Sequence, residues 1–315
     1  MSTFNNFVNG VTIRGIPIQQ TNPGAIRWVN NSTTLPAGGI AGSNGNNGTY
    51  LKPYSTILYA TSQCAVGDII CVMPRHSETL SEATALSSQS GVAIVGLGKG
   101  AARPKFIIDT ADTATLTLNV ANVSISNFIF SANFADITAA ITTSAATNFT
   151  VENCYFTQQA TAMNFLNVLD TGGTSNNTDG LSMTNNTWIE MDTATLGFVK
   201  MDGTNDDITL SNNKLVLGVN NNKASLMAIA TTKIVTSLTC EANRVYRLNT
   251  DTATGAILIT TDVSTNTGII VNNYIQHADV AAELIVTASS NFGFFDNKMS
   301  GVAGASGYLL PAADS

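Results

Sequence analysis

Residues 67 to 79, GDIICVMPRHSET, place Arg75, His76, Ser77 and Glu78 side by side at the end of an apolar run. These side-chain types could together form a nucleophile, a base and an anion clamp. In an extended segment, however, neighbouring side chains point to opposite faces, so Arg75 and Ser77 share one side while His76 and Glu78 share the other. Four consecutive residues cannot then converge on one reacting atom. The segment is expected to be a structural corner, with His76 and Glu78 bonding each other or the next coil. Arg103 is the third charged group assigned to it.

Other chemistry-bearing stretches are weaker. Gly96 to Ala101, GLGKGA, has the glycine spacing of a dinucleotide fingerprint, but Pro104 interrupts the helix that such a site needs, so a tight corner is expected. Adjacent Asp206 and Asp207, with Asp179, Asp192, Asp202 and Asp251 in neighbouring coils, are the candidate acids for a glycosidase or lyase. They do not fall at equivalent repeat positions and are expected to be solvated loop carboxylates. Cys64, Cys71, Cys154 and Cys240 form no CxxC pair and are expected to be reduced core residues. Neither a metal nor a cofactor is expected.

Composition narrows the classes further. Charged residues make up 11% of the 315 and hydrophobic ones 44%, with a formal net charge of −7 and a pI near 4.7. There is no basic run of the kind that nucleic-acid binders carry. No stretch reaches the roughly 18 apolar residues of a membrane span, and the first residues lack a secretion signal. A soluble protein made in the host cytoplasm, with no nucleic-acid or membrane partner, is expected.

The elements that would position these residues emerge when the short apolar stretches are stacked. VSISNFIF, FTVENCYF, LSMTNNTW, ITLSNNKL, LTCEANRV, GIIVNNYI and FGFFDNKM are alternating strands, each running into a corner. The corner column reads Asn127, Asn153, Asn185, Asn212, Ala242, Asn272 and Asp296, at spacings of 24 to 32 residues. Asn and Asp tolerate left-handed backbone angles. A strand recurring once per coil and pairing in parallel with its copy gives an all-β fold, a right-handed parallel β-helix or solenoid. Asn127, Asn153, Asn185, Asn212 and Asn272 are expected to form a side-chain ladder along its axis. A short helix between Pro53 and Gly67 would cap the N-terminal end. The expected organisation is an N-terminal arm and loop over 1–50, the solenoid over 51–300 and a tail or cap over 301–315.

From GVTIRGIPI and WVNN through GTYLKPYSTILYA, VGDIICVMPRHSET, GVAIVGLGKG and ARPKF, residues 8 to 130 resemble right-handed β-helix proteins of tailed bacteriophages, with a pectate-lyase-like fold. In those proteins the corner reads Pro-Gly-His-x-Glu-Thr, followed by a strand ending Val-Gly-Leu-Gly and then Arg-Pro. This chain keeps Pro74, His76, Glu78, Thr79, Arg103 and Pro104 but has Arg75 in place of the glycine, which argues against a left-handed requirement there. The resemblance implies a structural virion component, of the head-decoration type and homotrimeric, on the outer capsid surface.

The sequence reading is therefore a non-enzymatic capsid decoration protein, attached to the major capsid protein through its N-terminal segment. Val11, Ile13, Arg14, Ile16, Ile18 and Trp28 are the attachment residues, on an apolar strand with little partner of its own. The alternative is a tailspike or polysaccharide-binding or depolymerising β-helix that meets a host-surface glycan. That alternative needs exposed aromatic side chains along a groove, whereas the 7% of aromatic residues are expected at interior strand positions.

Overall fold

The computed structural model describes residues 11–13, 16–18, 24–86, 89–191, 197–218, 224–247, 257–261, 263–276, 284–286, 291–300 and 306–308. They build a right-handed parallel β-solenoid with three sheets. The first sheet has ten strands, from Ile26–Val29 to Asn291–Phe295. The second also has ten, from Ser77–Leu80 to Lys298–Ser300 with Ser306–Tyr308 added antiparallel at its end. The third has eight, from Ala83–Leu86 to Leu284–Val286. One rung runs Ser124–Ser126, Ile129–Ala132 and Ile141–Thr143 before the chain enters the next at Thr150–Glu152.

Register is kept from rung to rung, so like side chains stack. On the first sheet Ile70, Ile94, Ile125, Val151, Met183, Leu210, Cys240 and Ile270 form one inward column. On the second, Phe106, Phe130, Phe156, Trp188, Leu215, Val245 and Ile275 form another, every member fully buried. Phe130 and Phe156 lie 4.9 Å apart at 14°, and Phe106 and Phe130 lie 5.3 Å apart at 25°. Parallel stacking in register leaves rings little choice but this offset arrangement. Each such ring contributes about 1.5–3 kcal/mol by leaving water.

The corners repeat as strictly as the strands. Asn127, Asn153, Asn185, Asn212, Ala242, Asn272 and Asp296 all have φ between 51° and 64°. A second left-handed column, at Asn122, Asn148, Gly180, Asp207 and Ser237, stands just before five successive first-sheet strands. The side-chain ladder is displaced from the expected position: it is built by the next residue along, Asn186, Asn213, Asn243, Asn273 and Asn297. Each Nδ2 in the first four donates to the following Oδ1 at 2.9–3.1 Å. Each Nδ2 also reaches a main-chain carbonyl of an earlier rung, as Asn213 does to Met183 at 2.8 Å. The physical reason is orientation. A left-handed residue at the corner points its side chain outward, and the residue after it points in, where an amide must be fully bonded. Only Asn127 and Asn153 of the corner column bond each other, at 3.4 Å.

The N-terminal end departs from the expected boundaries. Ile26–Val29 pairs in parallel with Ile69–Val72, so the first rung begins inside the 1–50 segment. The helix is only Ile57–Ser62, because Tyr54 is held extended by Trp28 and Asn30 through two 2.9 Å main-chain bonds. Thr56 caps it, its hydroxyl accepting from the Tyr59 N–H at 3.2 Å, and Ile57 and Ala60 face the core. The GLGKGA stretch is a corner followed by a short 3₁₀ turn over Gly100–Ala102; at Gly98 a Cβ would lie 2.5 Å from the Ala102 carbonyl oxygen.

The two Asn columns should respond oppositely to substitution. Asn212→Gly keeps the left-handed corner and should change stability by less than about 1 kcal/mol. Asn213→Ala removes the acceptor of the Asn186 main-chain N–H, one of two bonds of the Asn186 side-chain amide and the side-chain bond to the Met183 carbonyl, and should cost roughly 2–4 kcal/mol. Thermal denaturation of the two variants checks this, and equal losses would contradict the assignment.

Candidate functional site

The PRHSET corner is a buried structural junction. His76 is fully buried and its Nδ1 accepts the Asn31 N–H at 3.1 Å, so the ring proton sits on Nε2, 3.2 Å from Glu78 Oε2. Glu78 Oε2 also accepts the Ile57 N–H at 2.7 Å, and Oε1 accepts the Leu58 N–H at 3.4 Å. The carboxylate thus satisfies the first turn of the helix, from a strand position in register with Phe106. Arg75 has φ +65°, so the corner is left-handed at this residue, contrary to the expectation drawn from the missing glycine. The bend is imposed by pairing on both sides, with the Arg75 N–H bonded to Ala102 at 2.9 Å. Arg103 turns away to the outer corner, where Nη1 bonds the Asn153 carbonyl at 3.1 Å.

The expected attachment residues are dispersed. Val11–Ile13 and Ile16–Ile18 pair antiparallel with each other, Val11 with Ile18 and Ile13 with Ile16. The strand expected to lack a partner therefore has one. Arg14 lies outside the described residues. Trp28 belongs to the first rung and sets its ring edge-on to Tyr50 at 4.9 Å.

Of the candidate acids, Asp192 and Asp251 lie outside the described residues, and Asp202 and Asp206 are engaged. Asp206 is exposed, accepts from the Thr236 hydroxyl at 2.6 Å, and is held below the usual carboxylate range by that bond and one from Ser237. Asp207 is a left-handed corner residue. Asp170 and Asp202 both bind Lys200, the first at 3.1 Å. Burial would lower the Lys200 pKa, but its bonds to Asp202 and Asp170 outweigh burial and leave it raised. That is the wrong direction for a general base. The four cysteines are buried and free; burial raises Cys64 and Cys71 to about 11 and Cys154 and Cys240 to about 12. None is a poised nucleophile.

A surface that the sequence reading passed over lies on the outer face of the second sheet. Strands Lys214–Leu217, Arg244–Arg247, Tyr274–Gln276 and Lys298–Ser300 pair so that Lys214, Arg244, Tyr274 and Lys298 form one row along the solenoid axis. Tyr246 stands in the next outward row, beside Val216 and Gln276. Its ring centroid is 5.9 Å from that of Tyr274, and Lys214 Nζ sits 5.7 Å from it. Ala242, Arg244, Tyr246, Asn272 and Tyr274 line a shallow open groove of about 410 Å³. Tyr246 and Tyr274 are half-buried rather than interior, so the expectation of inward aromatics fails here. The signal was present: Val245 is the inward residue of RVYR, which forces Arg244 and Tyr246 outward.

The sequence matches no family model, and no curated protein matches it. Among solved structures the chain is similar to the pectate lyase Pel9A, with a TM-score of 0.54 and 9% identity over 92% of this chain and 78% of that one. A rhamnogalacturonan lyase aligns with a TM-score of 0.45 and 10% identity, covering 91% of this chain and 90% of that one. An endo-xylogalacturonan hydrolase from Aspergillus tubingensis aligns at 0.36 and 12%, covering 82% and 94%. The likeness to Pel9A defines the class of fold, a pectate-lyase-like parallel β-solenoid.

Two substitutions test the corner. Arg75→Gly relieves a left-handed non-glycine residue whose side chain is exposed, and should raise stability by about 0.5–1 kcal/mol. Glu78→Ala strands the Ile57 N–H and the His76 Nε2–H in the interior, and should cost about 3 kcal/mol. Chemical denaturation reads both; a neutral Glu78→Ala would remove the carboxylate from its structural role.

Proposed function

We propose that this protein is a polysaccharide-binding β-solenoid, with the sugar chain lying in the groove of Tyr246, Tyr274 and Arg244. The observation that carries the reading is the pair of tyrosines on adjacent rungs, 5.9 Å apart, beside a row of cations. Tyrosine rings present an apolar face and a polar edge, as a sugar does, and their spacing suits successive residues of an extended chain. The groove is open along the axis, so a polymer can enter from the side and extend past it. Pel9A is a pectate lyase; at 9% identity it supports the fold alone, and the binding reading rests on the groove.

The reading is recognition rather than cleavage. Among the described residues, Asp170 and Asp202 are bound to Lys200, Glu78 to the helix amides and Asp206 to Thr236, which commits these four acids to structure. Carried on a phage particle, as the sequence resemblance implies, such a groove would meet host-surface glycan.

A glycan array probed with the full chain should show retention of at least one polysaccharide. Tyr246→Ala and Tyr274→Ala should each weaken it about tenfold, in line with an aromatic contact of roughly 1.4 kcal/mol. Tyr155→Ala, on the same sheet face but rungs away, should leave binding unchanged. Failure of the array to retain any glycan, or equal loss from all three variants, would refute the groove.

A further inference from the structure

We infer that the polymer bound in this groove is a carboxylated polysaccharide, lying parallel to the solenoid axis with its acid groups over Lys214, Arg244 and Lys298. The inference rests on the reading of the groove as a polysaccharide site and adds the charge and direction of the ligand.

The chain has 14 lysines and arginines against 21 aspartates and glutamates, yet three of the 14 fall in one outward row within four rungs. Lys214 and Arg244 are directly opposite each other on adjacent strands. Like charges in that position repel and weaken the pairing of the strands, so nothing in the stability of the sheet selects them. Among the described residues the salt bridges are Arg27–Asp68, His76–Glu78, Lys200–Asp170 and Lys200–Asp202, and none of them engages Lys214, Arg244 or Lys298. Lys214 instead lies over the Tyr246 ring, which holds the ammonium at the groove. A row of exposed, unneutralised cations beside two aromatic faces is complementary to a ligand with both negative charge and flat apolar surface.

Geometry sets the direction and the charge density. Rungs are about 4.8 Å apart, so Lys214 and Lys298, three rungs apart by register, span roughly 14 Å along the axis. Three cations over that length match a polymer with one carboxylate for each sugar or every second sugar. The Arg244 guanidinium can hold a carboxylate through two parallel hydrogen bonds, whereas the flanking ammoniums act as point charges. A nucleic-acid strand carries a phosphate about every 3.4 Å and would be undermatched by this row.

Binding of the full chain should be measured on immobilised hyaluronan, alginate, polysialic acid and polygalacturonate, on the carboxyl-reduced form of each, on dextran, and on single-stranded DNA. We expect at least one carboxylated polymer to bind and its reduced form to bind at least tenfold more weakly. Raising salt from 50 to 300 mM should weaken the interaction several-fold. The double variant Lys214→Gln, Arg244→Gln should reproduce the loss with a melting temperature no lower than that of the unaltered chain, while Glu241→Gln should leave binding unchanged. Equal binding to dextran or to the reduced polymers would overturn the anionic inference and leave the polysaccharide reading standing. Equal binding to DNA would overturn it in favour of a general polyanion site. No binding to any polymer would overturn both.

Discussion

Parallel pairing between rungs is the constraint on which everything else in this solenoid depends. Each strand bonds the copy above and the copy below, so a corner that differs in shape from its neighbours breaks two ladders at once. The chain answers with left-handed residues at fixed places, at Asn153, Asn185, Asn212 and even Ala242. Ala242 shows how strong the constraint is: alanine gains nothing from side-chain bonding in that conformation, yet φ is 53°, because Asn212 and Asn272 on either side fix the path. Arg75 makes the same point at the N-terminal end. The buried amides then tie the corners together. Asn186, Asn213, Asn243, Asn273 and Asn297 give five successive rungs the same inward hydrogen bonds, and a change of pitch would strand all of them together.

A stack of this kind needs its columns stopped, since an open end presents apolar side chains and unpaired amides together. At the N-terminal end the columns stop at charges. Arg27 stands in register with Ile70 and pairs with Asp68 at 3.3 Å, and Glu78 stands in register with Phe106 and binds the first turn of the helix. Asp68 Oδ1 also accepts the Ala25 N–H at 2.6 Å, so the acid closes a main-chain end as well as a salt bridge. His76 and Asn31 complete the arrangement by joining the first rung to the second sheet. What looked in the sequence like a catalytic cluster is therefore the place where a repeating structure is terminated. Such a place concentrates charged residues for the same electrostatic reason that an active site does.

The repeat was legible because stacked strands must reuse one pattern, and VSISN, FTVEN and ITLSN keep apolar residues at the inward positions, polar ones at the outward positions and Asn at the corner. The corner column followed from the same alignment. The ladder was misplaced by one residue because NN pairs such as Asn185–Asn186 and Asn212–Asn213 look equivalent in sequence, and only the backbone angle decides which amide turns inward. The second left-handed column, in AN, TN, DG, DD and TS before the first-sheet strands, carried a visible signal in its small polar residues but no single residue type. The first rung escaped because Ile26–Val29 is separated from Ile69 by a long excursion that contains the helix, which breaks the period. The groove depended on knowing which strands are neighbours: Lys214, Arg244 and Tyr274 are 30 residues apart in sequence and meet only through the second-sheet register.

That separation between inside and outside explains where function can reside in such a fold. The inward positions are held by packing and the corners by pairing, so neither can vary without cost to the rungs on both sides. Outward strand positions carry no such burden; Thr187, Lys214, Arg244 and Tyr274 succeed one another in one row as a hydroxyl, two cations and an aromatic ring. A row free to vary in composition, yet fixed in spacing by the rung pitch, is suited to a ligand that is itself a repeating polymer, because each change of residue alters one contact without moving the others. The opposed cations Lys214 and Arg244 in that row weaken the pairing of their own strands, so the sheet itself supplies no reason for them.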